Sequence, residues 1–130
     1  MSASVNGARS AADNTSDNTT RTRKVRAAWA ADRIAQLTQD RIHLEFPGKG
    51  ATALERVAYW ERRALLAAQL AGWWHILGLT SIAEVPEVFI DAALGSWQTE
   101  RANARSDRER ARTWTEIHTR RSTKASGVPR

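Results

Sequence analysis

Four arginines in the C-terminal third of the chain share one helical spacing. Arg101, Arg105, Arg108 and Arg112 stand at positions i, i+4, i+7 and i+11. On an α-helix this spacing places them within about 60° of one another, on a single face. Four guanidinium groups held side by side repel each other, and a row of phosphates would relieve that repulsion while releasing its counterions. These four residues, the arginine stripe, therefore predict a contact with the phosphates of a nucleic acid.

The sequence leaves two other interpretations of the arginine stripe open. Glu109 stands four residues after Arg105 and three before Arg112, and Glu116 stands four after Arg112. Oppositely charged residues at these spacings stabilise an exposed helix by about 0.2–0.5 kcal/mol per pair, so the stripe can be a solvated, salt-bridged face. The third interpretation is an acidic protein partner, for example the acidic middle segment of a second copy.

A second basic group, Arg21, Arg23, Lys24 and Arg26, leads into the first helical pattern. Basic residues are unfavourable at a helix N-terminus because the helix dipole is positive there. A flexible basic arm that enters a helix is a common means of holding nucleic acid. We therefore predict that Arg23, Lys24 and Arg26 also contact phosphates, although a helix start that only improves solubility has the same composition.

The positive charge of the chain is concentrated around these two groups. The chain carries 20 basic and 14 acidic side chains, a net charge of +6, and 17 of the basic residues are arginines. Residues 21–50 and 101–130 are net positive by four and six charges, whereas residues 51–100 are net negative by three. Arginine offers a planar fork of donors that suits phosphates and carboxylates. The composition therefore favours a polyanionic partner, with the codon usage of a GC-rich genome as the alternative explanation.

Three segments of the chain carry helical patterns, and these must position the basic residues. The first helix is predicted to begin near Thr20 or Thr22. Residues 41–46 follow it, and we predict that they form an extended connector or a last helical turn. The strand-like runs are too short and too few to pair with each other. We therefore predict an all-α fold, a small three-helix bundle-like domain.

The second and third helices have recognisable starts. Thr52 and Glu55 form a capping-box pattern, so the second helix is predicted to begin there and to end near residue 77, with Gly78 as its stop. Its second half is apolar nearly all round and must therefore be covered on most sides. Pro86 suits the first turn of the third helix, which follows a short turn at residues 82–85.

Both ends of the chain have the composition of tails. Residues 1–20 are Ser, Ala, Asn, Thr and Asp with almost nothing to bury, and residues 119–130 are basic. We predict a disordered tail over residues 1–20, a single helical domain over 21–118 and a basic disordered tail over 119–130. Residues 1–20 lack the apolar stretch of a secretory signal, so we expect a cytoplasmic protein.

The third helix changes character along its length. Ala93 and Ser96 lie on a face that continues, one turn after another, with Glu100, Asn103 and Asp107. Charged residues are almost never fully buried unless they are paired, so this face is poor core material. We predict that the segment from residue 100 to residue 110 projects into solvent or meets a polar partner.

Six tryptophans are the other unusual feature of the composition. A buried indole needs an acceptor for its N–H group, and a core of this size cannot enclose six of them completely. Trp73 and Trp74 are adjacent, so they point about 100° apart on a helix. We predict core packing as the main role of the tryptophans. Trp60, Trp73 and Trp74 are the candidates for a self-association interface, since aromatic residues are enriched at such interfaces.

Patterns for catalysis and metal binding are missing from the sequence. No cysteine is present, and the histidines His43, His75 and His118 have no ligand spacing to one another. Lys49 is followed by Gly50, where a nucleotide-binding phosphate loop has Ser or Thr. No serine-nucleophile motif occurs. We therefore expect no enzyme activity, no cofactor and no metal site.

These observations predict a small basic helical binding protein that contacts nucleic-acid phosphates without catalysis. The alternative is a structural or adaptor subunit, for example of a virus-like or mobile-element particle, that self-associates through the Trp-rich second helix. The expected partners are nucleic acid, a second copy or an acidic protein. A membrane partner is not expected, because the most apolar run, residues 64–79, is shorter than the roughly 20 residues that a spanning helix needs.

Overall fold

The computed structural model describes residues 2–80 and 86–127, with side chains from residue 18 onward apart from those of residues 20 and 23. The short turn predicted at residues 82–85 lies outside these ranges. Three helices make up the fold: α1 (Ser2–Ile42), α2 (Ala53–Thr80) and α3 (Glu87–Ala125). The described residues contain no strand. The predicted all-α, three-helix fold is confirmed.

α2 is the central helix and packs against both of the others. Its 28 residues span about 42 Å, more than the ten-residue connection from α1 can bridge, so α1 runs antiparallel to α2. Gly78 lies beside Ala93, and Arg63 lies beside Asp107, so α3 is antiparallel to α2 as well. α1 and α3 are therefore parallel neighbours of one shared helix.

The two ends of α2 give different outcomes for the sequence predictions. The capping box is confirmed: the backbone N–H of Glu55 donates to Thr52 Oγ1 over 3.1 Å, and that of Thr52 donates to Glu55 Oε1 over 3.4 Å. The predicted stop is wrong, because α2 continues through Gly78 to Thr80. Gly78 is buried where α3 comes close, and a Cβ atom there would lie 3.3 Å from Leu94 Cδ2. The small size of Gly78 therefore allows α3 to pack close to α2.

α1 and α3 extend beyond the packed part of the molecule. α1 begins at Ser2 rather than near residue 20. Proline, the residue that disrupts a helix most strongly, first occurs at residue 47. α3 begins directly after Pro86, as predicted, and continues to Ala125. The first buried side chain described is Ala30 and the last is Ala111. All the buried side chains described therefore lie inside the segment 21–118.

The core contains few large side chains. Ile34 and Leu37 of α1 pack against Leu66 and Leu70 of α2. Elsewhere the helices meet through small residues that let the backbones approach, and the buried alanines are Ala30, Ala53, Ala64, Ala67, Ala71, Ala93, Ala104 and Ala111. Because folded domains are only marginally stable, a single large side chain in such a core carries a large share of the stability.

Replacing Leu70 by alanine is expected to lower the free energy of unfolding by about 3 kcal/mol, because the side chain is fully buried and its removal leaves a cavity. Leu65 stands on the same helix and is 48% exposed. Leu65→Ala is therefore the matched control, with an expected loss below about 1 kcal/mol. Denaturant unfolding followed by circular dichroism measures both losses, and equal values would contradict this position of the core.

Candidate nucleic-acid interface

The inner face of α3 carries two buried carboxylates. Glu100 and Asp107 are 6% and 3% exposed, and they share a stripe with the buried alanines Ala93, Ala104 and Ala111. The predicted projection of residues 100–110 into solvent is therefore wrong. The polar partners of this segment are arginines of the same chain, because a carboxylate is buried only where a cation and hydrogen bonds replace its water.

Glu100 joins α3 to the end of α1. Its Oε1 atom accepts hydrogen bonds from Arg41 Nη1 over 2.7 Å and from Asn103 Nδ2 over 2.8 Å. Arg41 belongs to the last turn of α1. The described backbones of α1 and α3 do not touch each other, so this ion pair ties together two helices that otherwise meet only through α2.

Asp107 lies between two arginines. Its Oδ2 atom is 3.4 Å from Arg63 Nε of α2, and its Oδ1 atom accepts a hydrogen bond from Arg110 Nη1 over 3.2 Å. Both guanidinium groups also lie over the ring of Trp60, at 5.5 Å and 4.6 Å from its centroid. The face of an indole ring attracts cations. Arg110 therefore forms an ion pair within the chain, although it stands between Arg108 and Arg112 in the sequence.

The arginine stripe stays on the outside of the molecule. All four side chains are exposed, and none forms an ion pair in the part of the chain that the structure describes. Glu109 and Glu116, which the salt-bridged interpretation requires, do not pair with them. Arg108 Nε donates to a carbonyl one turn earlier over 3.3 Å, and Arg101 lies 5.1 Å from the ring centroid of Trp97. The described carboxylates therefore leave the charge of the stripe unneutralised.

Three arginines of the stripe line a shallow groove between α2 and α3. The groove has a volume of about 430 Å³. The ring of Trp97 stacks on His75 at a centroid distance of 4.3 Å and an interplanar angle of 12°. The lining consists of small residues, one tryptophan and three arginines of the stripe: Ala68, Ala71, Gly72, Trp97, Arg101, Ala104, Arg105 and Arg108. The arrangement is an open channel with guanidinium groups along it.

The second basic group lies on another surface. Lys24 and Arg26 are exposed and have no ion pair among the described residues, while the side chain of Arg23 lies outside those described. The groove between α3 and α1 is lined on its α3 side by residues such as Ser96 and Thr99, not by the stripe. The predicted nucleic-acid-binding residues therefore divide into two groups on different helices, and no described α1 residue lines the groove at the stripe.

The three tryptophans predicted as interface candidates are half-buried and occupy different surroundings. Trp60 lies beneath two arginines. Trp73 meets the ring of Trp29 edge-on at 4.9 Å, and Trp74 lines the groove between α1 and α3. Each of them contacts other residues of its own chain. Self-association through these three residues stays a prediction.

Two residues at the arginine groove, Trp97 and His75, were not predicted as site residues from the sequence. Trp97 stands four residues before Arg101, a spacing at which side chains meet on a helix surface, and this signal could have found it. The stacking of Trp97 on His75 depends on the register between α2 and α3. Only the packed structure provides that register.

Geometry and charge are the indicators of function in the described part of this chain. No described helix is both long enough and apolar enough to cross a bilayer. No three histidine, aspartate or glutamate side chains among the described residues converge to hold a metal ion. Comparison with protein-family models, curated proteins and solved structures finds no match to this chain.

Asp107→Ala is expected to lower the free energy of unfolding by about 2 kcal/mol, because it removes the counter-charge of Arg63. Glu109→Ala removes an exposed carboxylate that has no ion pair in the described chain, so it is the matched control with a loss below about 0.5 kcal/mol. The double variant Arg63→Met, Asp107→Leu removes both charges and is expected to recover part of the loss. Thermal and denaturant unfolding measure these values, and equal losses for the two alanine variants would contradict the structural role of Asp107.

Proposed function

We propose that this protein binds nucleic acid through the arginine stripe and the groove beside it, without catalysing a reaction. One observation supports this above all. The guanidinium groups of the stripe are exposed and unpaired among the described residues, whereas Glu100 and Asp107 on the same helix are turned inward. An edge of unneutralised positive charge attracts polyanions and raises their rate of association.

The dimensions of the stripe suit a phosphate backbone. From Arg101 to Arg112 the helix rises about 16 Å, which corresponds to about five base-pair steps of 3.4 Å. Each guanidinium group presents a planar fork of donors that can hold two phosphate oxygens. One edge of α3 can therefore contact several phosphates in succession.

The same surroundings favour weak discrimination between base sequences. Contacts to phosphates position a protein on nucleic acid but carry no sequence information directly. Trp97 already stacks on His75 and lies under Arg101, so it is not an unoccupied platform on which a base could stack. We expect binding that depends strongly on salt and weakly on sequence.

The double variant Arg105→Gln, Arg108→Gln is expected to reduce the affinity for nucleic acid at low salt by about tenfold or more. Each phosphate contact contributes about 0.9 to the slope of log affinity against log salt, so the slope should become shallower by about 1.8. Fluorescence anisotropy with labelled duplex and single-stranded oligonucleotides over a salt titration measures both quantities.

The double variant Lys24→Gln, Arg26→Gln is the matched control, because it also removes two positive charges, in this case from α1. Since the groove at the stripe is lined by residues of α2 and α3 and by no described residue of α1, we expect this variant to change the slope by less than half as much. Equal effects of the two double variants would indicate a response to net charge and contradict the stripe as the site. If the unmodified protein binds neither oligonucleotide at low salt, nucleic-acid binding itself is excluded.

A further inference from the structure

One face of α2 is covered by neither α1 nor α3. Leu66 and Leu70 pack against α1, and Gly78 packs against α3. Six residues spaced three or four apart lie on the remaining side of α2, within about 80° of one another, and all of them are exposed. We refer to this stripe as the outer face, and its members are Ala58, Glu61, Leu65, Ala68, Gly72 and Ile76.

The outer face has the composition of a contact between helices. Leu65 and Ile76 are large apolar residues, yet both are exposed. Small residues stand between them, and a single charged residue, Glu61, belongs to the face. Apolar residues that repeat three and four apart along one helix form the seam between two packed helices. The outer face is therefore a seam that lacks its second helix in the described chain.

Gly72 supports a contact from outside the chain. Glycine in the middle of a helix is less stable than alanine. A Cβ atom at Gly72 would come within 4 Å of no described atom beyond its own turn of the helix, so packing within the described chain does not require a glycine. At Gly78, by contrast, a Cβ atom would lie 3.3 Å from Leu94 Cδ2. The space beside Gly72 is thus available to another molecule.

We propose that the outer face is the docking surface for a second copy of the chain, whose α2 packs antiparallel to the α2 of the first. Glu61 of each copy then lies at the arginine stripe of the other. Such a pair has two-fold symmetry, so both copies contribute the same surface.

Antiparallel pairing brings the larger residues of the outer face opposite the smaller ones. A single alignment of the two helices gives the pairs Leu65 with Ala68, Glu61 with Gly72, and Ile76 with Ala58. Each pair occurs twice because of the two-fold symmetry. Parallel pairing would instead set Glu61 against Glu61, which is unfavourable, and would leave a gap where Gly72 meets Gly72. The pattern of the outer face therefore favours the antiparallel pair.

The charge of Glu61 complements the surface that it meets in this pair. Gly72, the residue opposite it, lines the arginine groove together with Arg101 and Arg105. Glu61 is exposed and forms no ion pair in the described chain, so its carboxylate can accept hydrogen bonds from the other copy. One carboxylate leaves each stripe of four arginines positively charged. The two-fold axis runs perpendicular to the helices, so both stripes lie on the same side of the pair, and one polyanion can contact both.

Sedimentation velocity on protein freed of nucleic acid tests this pair independently of nucleic-acid binding. The unmodified protein is expected to give the mass of two 14.5 kDa chains. A contact through one helix of each copy is small, so we expect a dissociation constant in the micromolar range, and unfolding of more dilute protein reports the single chain.

Leu65→Glu is expected to weaken the association about 100-fold, because it places a charge at the apolar centre of the contact. Val88→Glu is the matched control, since Val88 is also an exposed apolar residue but belongs to α3. We expect this control to associate like the unmodified protein.

An exchange of charges tests the contact between Glu61 and the stripe. Glu61→Lys and the double variant Arg101→Glu, Arg105→Glu should each associate about tenfold more weakly, because like charges then meet. In an equimolar mixture of the two variants both contacts join opposite charges, so we expect a mixed pair. Glu109→Lys is the matched control, because it reverses another exposed carboxylate that has no ion pair in the described chain.

Disulfide formation tests the direction of pairing, because the chain has no cysteine of its own. A mixture of Ala58→Cys and Ile76→Cys chains is expected to form a linked mixed pair under mild oxidation. Either variant alone is expected to stay unlinked, since antiparallel pairing places the two identical residues about 25 Å or more apart.

Circular dichroism shows whether each variant retains its helices. A monomeric unmodified protein at its highest soluble concentration would overturn the proposal. Undiminished association of Leu65→Glu, a mixture of the charge variants that stays monomeric, or linkage of either cysteine variant alone would overturn it equally.

Discussion

The ion pairs of Glu100 and Asp107 link α3 to both of the other helices. Both carboxylates belong to the buried stripe of α3, and each needs an arginine from another helix because an unpaired buried charge is strongly unfavourable. Arg41 of α1 and Arg63 of α2 meet this need. The rotation of α3 about its own axis is therefore fixed, and the arginine stripe, which lies on a neighbouring face, is turned towards solvent.

Local signals in the sequence suffice for the number of the helices and for the starts of α2 and α3. The capping box at Thr52 and Glu55 is an example, since every contact in it lies within one helical turn. Gly78 shows where such reasoning fails: a glycine has the same appearance in a sequence whether it ends a helix or lets another helix come close. The deciding contact is with Leu94, on another helix.

The arginine stripe could be predicted as a unit, but its freedom from internal pairs could not. Each surface pair with Glu109 or Glu116 would contribute only a few tenths of a kcal/mol, too little for the sequence to decide whether it forms. The buried position of Asp107 was in principle visible, because it continues the spacing of Ala93, Ala104 and Ala111. The identity of its partners was not, since Arg63 stands 44 residues away in the sequence. The separation of the two basic groups could not be predicted from the sequence either, because it depends on how α1 and α3 are placed around α2.

The many alanines between the helices determine how this chain would respond to sequence change. Ala67 and Ala104 are buried where two backbones come close, and inserting extra atoms into such a site costs about 1–3 kcal/mol. Ile42 and Leu54 are large but face solvent, so little depends on their shape. In this protein, the positions that admit the fewest replacements therefore include some of its smallest side chains as well as the few large ones of the core.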